Sequence, residues 1–329
     1  MHILLTGATG FLGFRTLEHF AQSADITKIT AIGRKIRPTH FVNHPKVTYV
    51  LGDLSDSLFV QNVFDQVDIV IHAAALSSPW GDFTQFHAAN VLTMQHLIKN
   101  AKEHGIKRFV YISTPSLYFN GKDRLHIREN EPLPATFINA YAATKRQAEI
   151  LLEQSGLPFI SLRPRALTGR GDTVIMPRLV RAYDEGRLKI IGSGKNIVDL
   201  TSVANVVDAI ELSINARETA LGKHYNITNG EPVLLWEKIE LVLSSLGKSL
   251  NTKNIPYSLV KTIAKAMELK SKWTHRKEPP LTVYGVGTLA KSFTMDISLA
   301  KEYLGYVPRV STDEAIQEFV NWYMQNGSH

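Results

Sequence analysis

The sequence contains no cysteine. That excludes disulfides, a thiolate nucleophile and cysteine-ligated metal, and a reducing, cytoplasmic setting is expected. No window approaches the ~18 consecutive apolar residues of a membrane span. No basic leader with a cleavage site precedes the first apolar run, so an unexported chain is expected. The twelve histidines show no His-Glu-x-x-His or comparable spacing, and no metal is expected. The formal charge of +7 comes from dispersed basic residues with no nucleic-acid module among them, so nucleic acid is not an expected partner. Neither low complexity nor repeats are present, and 329 residues at 44% hydrophobic content suffice for one large core or two modest ones.

What is present begins at the N-terminus with MHILLTGATGFLG. Ile3, Leu4 and Leu5 read as a strand buried on both faces, followed by Gly7, Gly10 and Gly13 and the start of an amphipathic run. Gly7 permits the turn, Gly10 lets a pyrophosphate approach the backbone, and Gly13 lets the helix pack closely on the strand. With Thr9, Phe11 and Leu12 these residues are expected to hold a dinucleotide at the helix N-terminus. The plainer alternative is a glycine-rich turn that binds nothing.

A helix is expected over Phe11 to Gln22 and a second strand over Lys28 to Ile32, ending in Gly33-Arg34-Lys35-Ile36-Arg37. An acid at this tip would take a ribose 2′-hydroxyl and an arginine a 2′-phosphate. Three cations and no acid point to NADP over NAD, with Arg34 and Lys35 as contacts; solvated loop charges are the alternative. Val47 to Leu51 reads as a third strand, after which Asp53 and Leu54 are expected beside the adenine. Val67 to His72 is a fourth, running into Ala73, Ala74 and Ala75, whose small side chains let the backbone lie against the cofactor. A long helix is expected from Phe83 to His104, containing Asn90, and a fifth strand over Phe109 to Ile112 ends in Ser113 and Thr114. This alternation predicts an α/β, Rossmann-like, doubly wound parallel sheet with ligands beyond the carboxyl ends of its strands.

Asn139-Ala140-Tyr141-Ala142-Ala143-Thr144-Lys145 opens a helix expected to run to about Gln154. Tyr141 and Lys145, four apart, share one face. A lysine cation beside the phenol is expected to lower its pKa toward the working range of a general acid-base. Such a pair alone is an ordinary helix-surface contact; the preceding nucleotide loop and hydroxyl-ended strand shift it to catalysis.

With TGATGFLG, GDL, HAAA, YISTPSLY, YAATK and LRPRALTGRGD in register, the chain resembles the extended short-chain dehydrogenase/reductase superfamily over nearly its whole length. The resemblance implies that Tyr141 is the proton donor or acceptor and that Lys145 holds the nicotinamide ribose and tunes Tyr141. It implies that Thr114, where serine is commoner, or its neighbour Ser113 binds the substrate oxygen. Asn90 would position the site and a relay water, and Pro164 with Ala166 would line the nicotinamide. Ser78-Pro79-Trp80-Gly81, Leu162-Arg163-Pro164-Arg165, Met176-Pro177-Arg178-Leu179 and Glu278-Pro279-Pro280-Leu281-Thr282 are similar to the 3β-hydroxysteroid dehydrogenase group, especially bacterial reductases of 2-alkyl-3-oxoalkanoates. Sugar-nucleotide epimerases and dehydratases carry a diphosphate-clamping arginine where this chain has Val198, in Ile197-Val198-Asp199-Leu200.

In the second half, helices are expected over Val174 to Arg187 and Val203 to Asn215, and a strand over His224 to Thr228. The expected division is a dinucleotide domain over 1–165 with 196–228 returning to it, and a smaller interleaved substrate lobe over 166–195 and 229–329. Trp80 and Arg165 are the candidate substrate contacts; Arg165 would pair a substrate carboxylate or a local acid. Over Ser258 to Lys272, Leu259, Val260, Ile263, Ala266 and Met267 form an apolar stripe with Lys261, Lys265 and Lys272 opposite and Lys270 breaking the pattern. It reads as a lid packed on the core, or as a cover of an apolar channel that touches an anionic membrane surface or acidic carrier.

The sequence reading is thus an NADP-dependent oxidoreductase of the 3-oxo or 3-hydroxy group of an apolar substrate, a branched 3-oxoacid or sterol-like ring. A nucleotide-sugar epimerase with recycled NAD and a non-catalytic cofactor sensor are its rivals. A homodimer pairing the helices Phe83 to His104 and Ala140 to Gln154 across a two-fold axis is expected by analogy.

Overall fold

The computed structural model describes residues 1–250, 253–274 and 278–327; the parts of the expected 229–329 lobe at 251–252, 275–277 and 328–329 lie outside the described residues. Strands β1 (His2–Thr6), β2 (Lys28–Gly33), β3 (Val47–Leu51), β4 (Ile69–His72) and β5 (Arg108–Ile112) join Phe159–Pro164 and Lys223–Ile227 in one seven-stranded sheet. Its order is Lys223–Ile227, Phe159–Pro164, β5, β4, β1, β2, β3, and every pair is parallel. Consecutive strands run outward from β1 in opposite directions, so a crevice opens between the carboxyl ends of β1 and β4, where doubly wound sheets bind ligands.

Both faces of the sheet are covered, which is why β1, β4 and Phe159–Pro164 are buried at every position. On one face Leu17, Phe20 and Ala21 of the helix Phe11–Gln22 meet Val206, Ala209 and Ile210 of Val203–Ile214. On the other, Met94 and Leu97 of Thr93–Glu103 meet Ala148 and Leu152 of Ala140–Glu153. Most element boundaries lie within two residues of the sequence reading. Helix Met176–Asp184 is shorter than Val174 to Arg187, because buried Asp172 accepts from the amides of Val174, Ile175 and Met176 and Pro177 occupies the first turn.

The expected single helix Phe83 to His104 is interrupted. Phe83–His87 and Thr93–Glu103 are α-helical, and Ala88–Leu92 between them is a π-turn that carries Asn90. Such a bulge rotates the side chains that follow it, and an apolar periodicity near 3.6 conceals it.

Beyond the main sheet, Val233–Leu234, Ile197–Val198, Phe293–Met295 and Arg124–Ile127 form a four-stranded sheet from segments far apart in sequence, and Leu167–Thr168 pairs with Thr201–Ser202. Helices Leu235–Ser245 and Thr312–Asn326 close this lobe around Trp236, Ile239, Ile316 and Phe319; a Ser311/Glu314 capping box starts the second.

Helix Tyr257–Trp273 corrects the expected stripe. Val260 and Ala264 are buried against Ile191 and Val286, whereas Leu259 (54% exposed) and Ile263 (41%) face outward with Leu269 and Trp273. The packed face is narrow and the broader apolar face is uncovered. No helix among the described residues is long and apolar enough to cross a membrane.

Candidate active site

The glycine loop lies in the crevice. Gly7 has φ +72°, and a Cβ there would fall 2.7 Å from Ala74 N; a Cβ on Gly13 would fall 2.0 Å from Gly7 O. β1, the first helix and the Ala73–Ala75 segment therefore meet at distances that exclude any side chain at these two positions. Gly10 is the N-cap of the helix Phe11–Gln22, and no side chain caps its free amides. Phe11 is buried and Leu12 half-buried in the core below, while Thr9 packs on the tip of β2, where a Cβ on Gly33 would fall 2.4 Å from Thr9 Oγ1. The Ala74 amide donates to Thr6 Oγ1 (3.2 Å) and the Ala73 amide to Thr6 O (3.2 Å), which fixes the opposite wall. Open amides at a positive helix end beside a wall of alanines fit a dinucleotide pyrophosphate.

At the β2 tip Arg34 and Lys35 are exposed, while Arg37 donates to Thr173 Oγ1 (3.1 Å) and is drawn away. Asp53 Oδ1 accepts from the amide and hydroxyl of Ser55, each at 2.8 Å; these bonds, with the Arg34 charge, hold its carboxyl below its usual range. Leu54 is buried beneath it, its carbonyl 3.2 Å from His96 Nδ1.

The helix Ala140–Glu153 starts at Asn139, whose side chain accepts from the Ala142 amide (2.9 Å). Within the first turn, half-buried Tyr141 has its hydroxyl hydrogen-bonded by Ser77 and Thr114 and its ring 6.5 Å from the Phe86 ring. Thr114 Oγ1 donates to Ser116 Oγ (3.1 Å), which lies 2.8 Å from the Tyr284 hydroxyl. A chain of hydroxyls thus runs Tyr141, Thr114, Ser116, Tyr284. Lys145 is fully buried, donates to Ile112 O (2.6 Å) and sits 4.1 Å above the Tyr111 ring, which stacks on His72.

The expected electrostatics are corrected here. Burial pushes the Tyr141 phenol up, opposed by Ser77 and Thr114 and not by Lys145; burial likewise draws Lys145 down to about 7. Both groups are desolvated, and the ammonium is turned toward a backbone carbonyl. Asn90 reaches across the site: its Oδ1 accepts from Leu76 N (2.9 Å), and its Nδ2 donates to Leu76 O (3.3 Å) and Thr144 Oγ1 (3.1 Å). It ties the loop bearing Ser77 to the helix bearing Tyr141.

Ser113, the alternative to Thr114 at the substrate oxygen and a candidate cofactor contact, turns its hydroxyl the other way, to Glu149 Oε1 (2.6 Å). Glu149 is 0% exposed and also accepts from Arg163 Nε and Nη2, both at 2.8 Å, and from Arg146 (3.2 Å). Arg163 also binds the Tyr118 hydroxyl. Burial alone would raise the Glu149 carboxyl, but Arg163 and His224 hold it well below the usual carboxylate range. Glu149, Glu153 and His224 bring ligand atoms within 4.8 Å of one another, yet Arg163 and Arg146 already neutralise both carboxylates.

Trp80 and Gly81 line a cavity of about 510 Å³ with Phe86, Asn139, Ala140, Glu268, Lys272 and Tyr284. It lies at the N-terminus of the Tyr141 helix, under the helix Tyr257–Trp273. Pro164 is the last residue of its strand, paired with Ile227, and Ala166, at φ +42°, accepts from the Thr201 amide (3.1 Å). Arg165 between them stacks on Phe293 at 4.4 Å. Val198 is buried in the second lobe. The sequence reading missed Ser77, Ser116, Tyr284 and Glu149. Ser116 lies inside the quoted YISTPSLY stretch, Ser77 two residues after HAAA, and Tyr284 two residues after Thr282, in the helix Val283–Ala290 that the fold brings in from far along the chain.

Residues 3–228 match the NAD dependent epimerase/dehydratase family. A 2-alkyl-3-oxoalkanoate reductase of Stenotrophomonas maltophilia is 32% identical, the match covering 96% of this chain and 98% of that one. The 3beta-hydroxysteroid-dehydrogenase/decarboxylase isoform 1 of Arabidopsis thaliana is 35% identical over 84% of this chain and 66% of its own length. Among solved structures, the Bordetella bronchiseptica enzyme WbmH in complex with NAD+ superimposes with TM-score 0.79 at 21% identity, covering 99% of each chain, and shows the shared fold. The glycine cradle, the Tyr141 and Lys145 pair and these similarities converge: the chain belongs to the NAD dependent epimerase/dehydratase family, within the extended short-chain dehydrogenases/reductases, and is an oxidoreductase.

Proposed function

We propose that the protein is an NADP-dependent oxidoreductase of the 3-oxo or 3-hydroxy group of an apolar substrate, a 2-alkyl-3-oxoacid or a sterol-like ring. The observation that carries this reading is the Tyr141 hydroxyl, hydrogen-bonded to Thr114 and Ser77 beside a cavity walled by Trp80, Phe86 and Tyr284. The names of the two relatives, an oxoalkanoate reductase and a hydroxysteroid dehydrogenase, support the same substrate class.

A bound nicotinamide supplies or accepts hydride at the substrate carbon. The chain's part is proton transfer and polarisation. Tyr141, kept protonated at neutral pH by burial, gives its proton to the carbonyl oxygen in reduction and takes it back in oxidation, while Thr114 donates to the same oxygen. Lys145 would hold the nicotinamide ribose through the ammonium now on Ile112 O, and Asn90 keeps the Ser77 loop and the Tyr141 helix in register. Gly7, Gly10, Gly13, Asp53, Leu54 and Ala73 to Ala75 would hold the dinucleotide, and Pro164 and Ala166 would line the nicotinamide. The proton in hand on Tyr141 favours reduction at neutral pH, and oxidation rises with pH as the phenol ionises. Opposite pH slopes of kcat for the two directions are the expected result; parallel slopes would remove Tyr141 from the proton path.

Absence of an acid at the β2 tip and exposure of Arg34 and Lys35 support NADP. The double substitution R34A/K35A is expected to weaken NADPH binding by roughly tenfold or more, one or two charge-assisted bonds, and NADH binding hardly at all. Calorimetric titration of both dinucleotides reads this, and equal losses would reject the assignment. A nucleotide-sugar epimerase is disfavoured because buried Val198 offers no cation to a diphosphate.

Three further readings belong to this proposal: a cytoplasmic location, a homodimer through the helices around Asn90 and Tyr141, and peripheral contact of the exposed Leu259, Ile263, Leu269 and Trp273 face with an anionic membrane surface. Cell fractionation, sedimentation equilibrium and co-sedimentation with anionic vesicles test them in turn; recovery in an extracellular fraction, a monomer, or unbound protein would reject the respective reading.

A further inference from the structure

Two arginines two residues apart, at the end of one sheet strand, have opposite surroundings. Arg163, 3% exposed, is saturated by both oxygens of Glu149 and the Tyr118 hydroxyl. Arg165, 8% exposed, has its guanidinium stacked on Phe293 at 4.4 Å, and its Nε finds no hydrogen-bond partner among the described residues. A buried guanidinium with an unpartnered N–H is costly, and a ligand acceptor would complete it. Asp199, 1% exposed, acts electrostatically on Arg165 without hydrogen-bonding it: it accepts from the Met295 amide through Oδ2 (2.7 Å), leaves Oδ1 unpartnered, and forms no ion pair with Arg165 among the described residues.

The position of Arg165 relates it to the reaction. The Phe293 ring under the guanidinium lies 6.0 Å from the Phe119 ring, which lies 5.4 Å from Tyr284, and the Tyr284 hydroxyl ends the hydrogen-bonded chain that starts at Tyr141 and passes through Thr114 and Ser116. The guanidinium is thus packed, through two aromatic rings, onto the hydroxyl chain whose other end meets the substrate oxygen. We propose that Arg165 is the specificity residue of this site and binds a substrate carboxylate in the 1,3 relation to the reacting carbon, so that the substrate is a 3-oxo or 3-hydroxy acid rather than a neutral ketone or alcohol. The planar fork of guanidinium matches a carboxylate with two parallel bonds, and the Phe293 ring holds that fork in one plane. This rests on Tyr141 being the proton donor.

The test compares a 2-alkyl-3-hydroxy acid with its methyl ester, both oxidised with NADP+. R165Q is expected to lower kcat/KM for the acid about 10²-fold, the loss of two charge-assisted bonds, mostly through KM, and to change the ester less than about threefold, since no carboxylate is there to lose. Arg165→Lys, with the charge but not the fork, should recover part of the acid activity. Arg165→Met, which keeps the stem on Phe293, stands in should glutamine unfold the lobe. Independently of turnover, 2-hexyldecanoate, a branched carboxylate with no oxo group, should bind the wild type in calorimetry and not R165Q. Equal losses on acid and ester, or recovery of both by the double variant R165Q/D199N, would make Arg165 a structural counter-charge of Asp199 and overturn the proposal. A wild type that binds 2-hexyldecanoate but oxidises neither substrate would instead reject the oxidoreductase reading of substrate class while leaving the anion site in place.

Discussion

Tyr141→Phe is expected to lower kcat by about 10²- to 10⁴-fold, the range of a positioned general acid-base, while NADPH affinity stays within about threefold. The lost atom is one hydroxyl. Its partner Thr114 keeps its bonds to Ser116, so the loop after β5 has no reason to move. The ring, 6.5 Å from Phe86, retains its packing. A kcat loss without a binding loss separates proton transfer from cofactor capture. Stopped-flow hydride transfer and a fluorescence titration of NADPH read the two quantities. Unchanged turnover would remove Tyr141 from the chemistry, and a parallel collapse of NADPH binding would make it a structural residue.

Glu149→Gln is expected to be the most destabilising single change near the site. It keeps the shape and some hydrogen bonds, but leaves the Arg163 guanidinium, 3% exposed, without a counter-charge. Breaking one side of a buried pair costs about 3–5 kcal/mol, or roughly 4–7 °C in Tm for a chain of this size. The sign of the pH dependence follows from the depressed Glu149 carboxyl. Its stabilisation is complete above the unfolded carboxylate value of about 4.3 and is lost as pH falls toward the folded value. His224, raised above its ordinary value by Glu149 and Glu153 against burial, contributes below about pH 6.5 and loses that contribution as pH rises through its folded value. Thermal melts of the wild type should therefore fall steeply on acidification below about pH 4, and E149Q should start lower with a shallower acid limb. A melt within about 1–2 °C of wild type at neutral pH, against the expected shift of about 4 °C or more, would show that Arg163 is satisfied without Glu149.

That cluster marks where the sequence was hardest to read. The strands β1 to β5 were visible because each is a short apolar run bounded by glycine, lysine or asparagine-rich turns. Phe159–Pro164 was not, because Arg163 inside it reads as a surface residue until Glu149, on another element, is seen to neutralise it. Glu149 itself was hidden by the period that revealed its neighbours. It lies one turn beyond Lys145, on the same buried face, where a carboxylate is not expected. The small sheet was illegible for a different reason, since its four strands have two to four residues each and come from four distant segments. Tyr141, Lys145, Thr114 and the glycines stood out because their spacing carries the chemistry. Which groups set their charge states did not, and desolvation reversed the expected direction for Tyr141. The apolar stripe over Ser258 to Lys272 was placed only in part: Val260 packs inward while Leu259 and Ile263 face out, because amphipathicity reports that two faces differ and not which one is covered.

The most direct measurement is the absorbance of NADPH mixed with the protein and a 2-alkyl-3-oxo acid. The account predicts a decay of the reduced-nicotinamide band in the wild type, loss of most of that rate in Tyr141→Phe, and a matched yield of the 3-hydroxy acid. No decay with any 3-oxo compound, together with release of tightly retained NAD from the purified protein and stabilisation by a UDP-sugar, would contradict it and establish the epimerase chemistry instead.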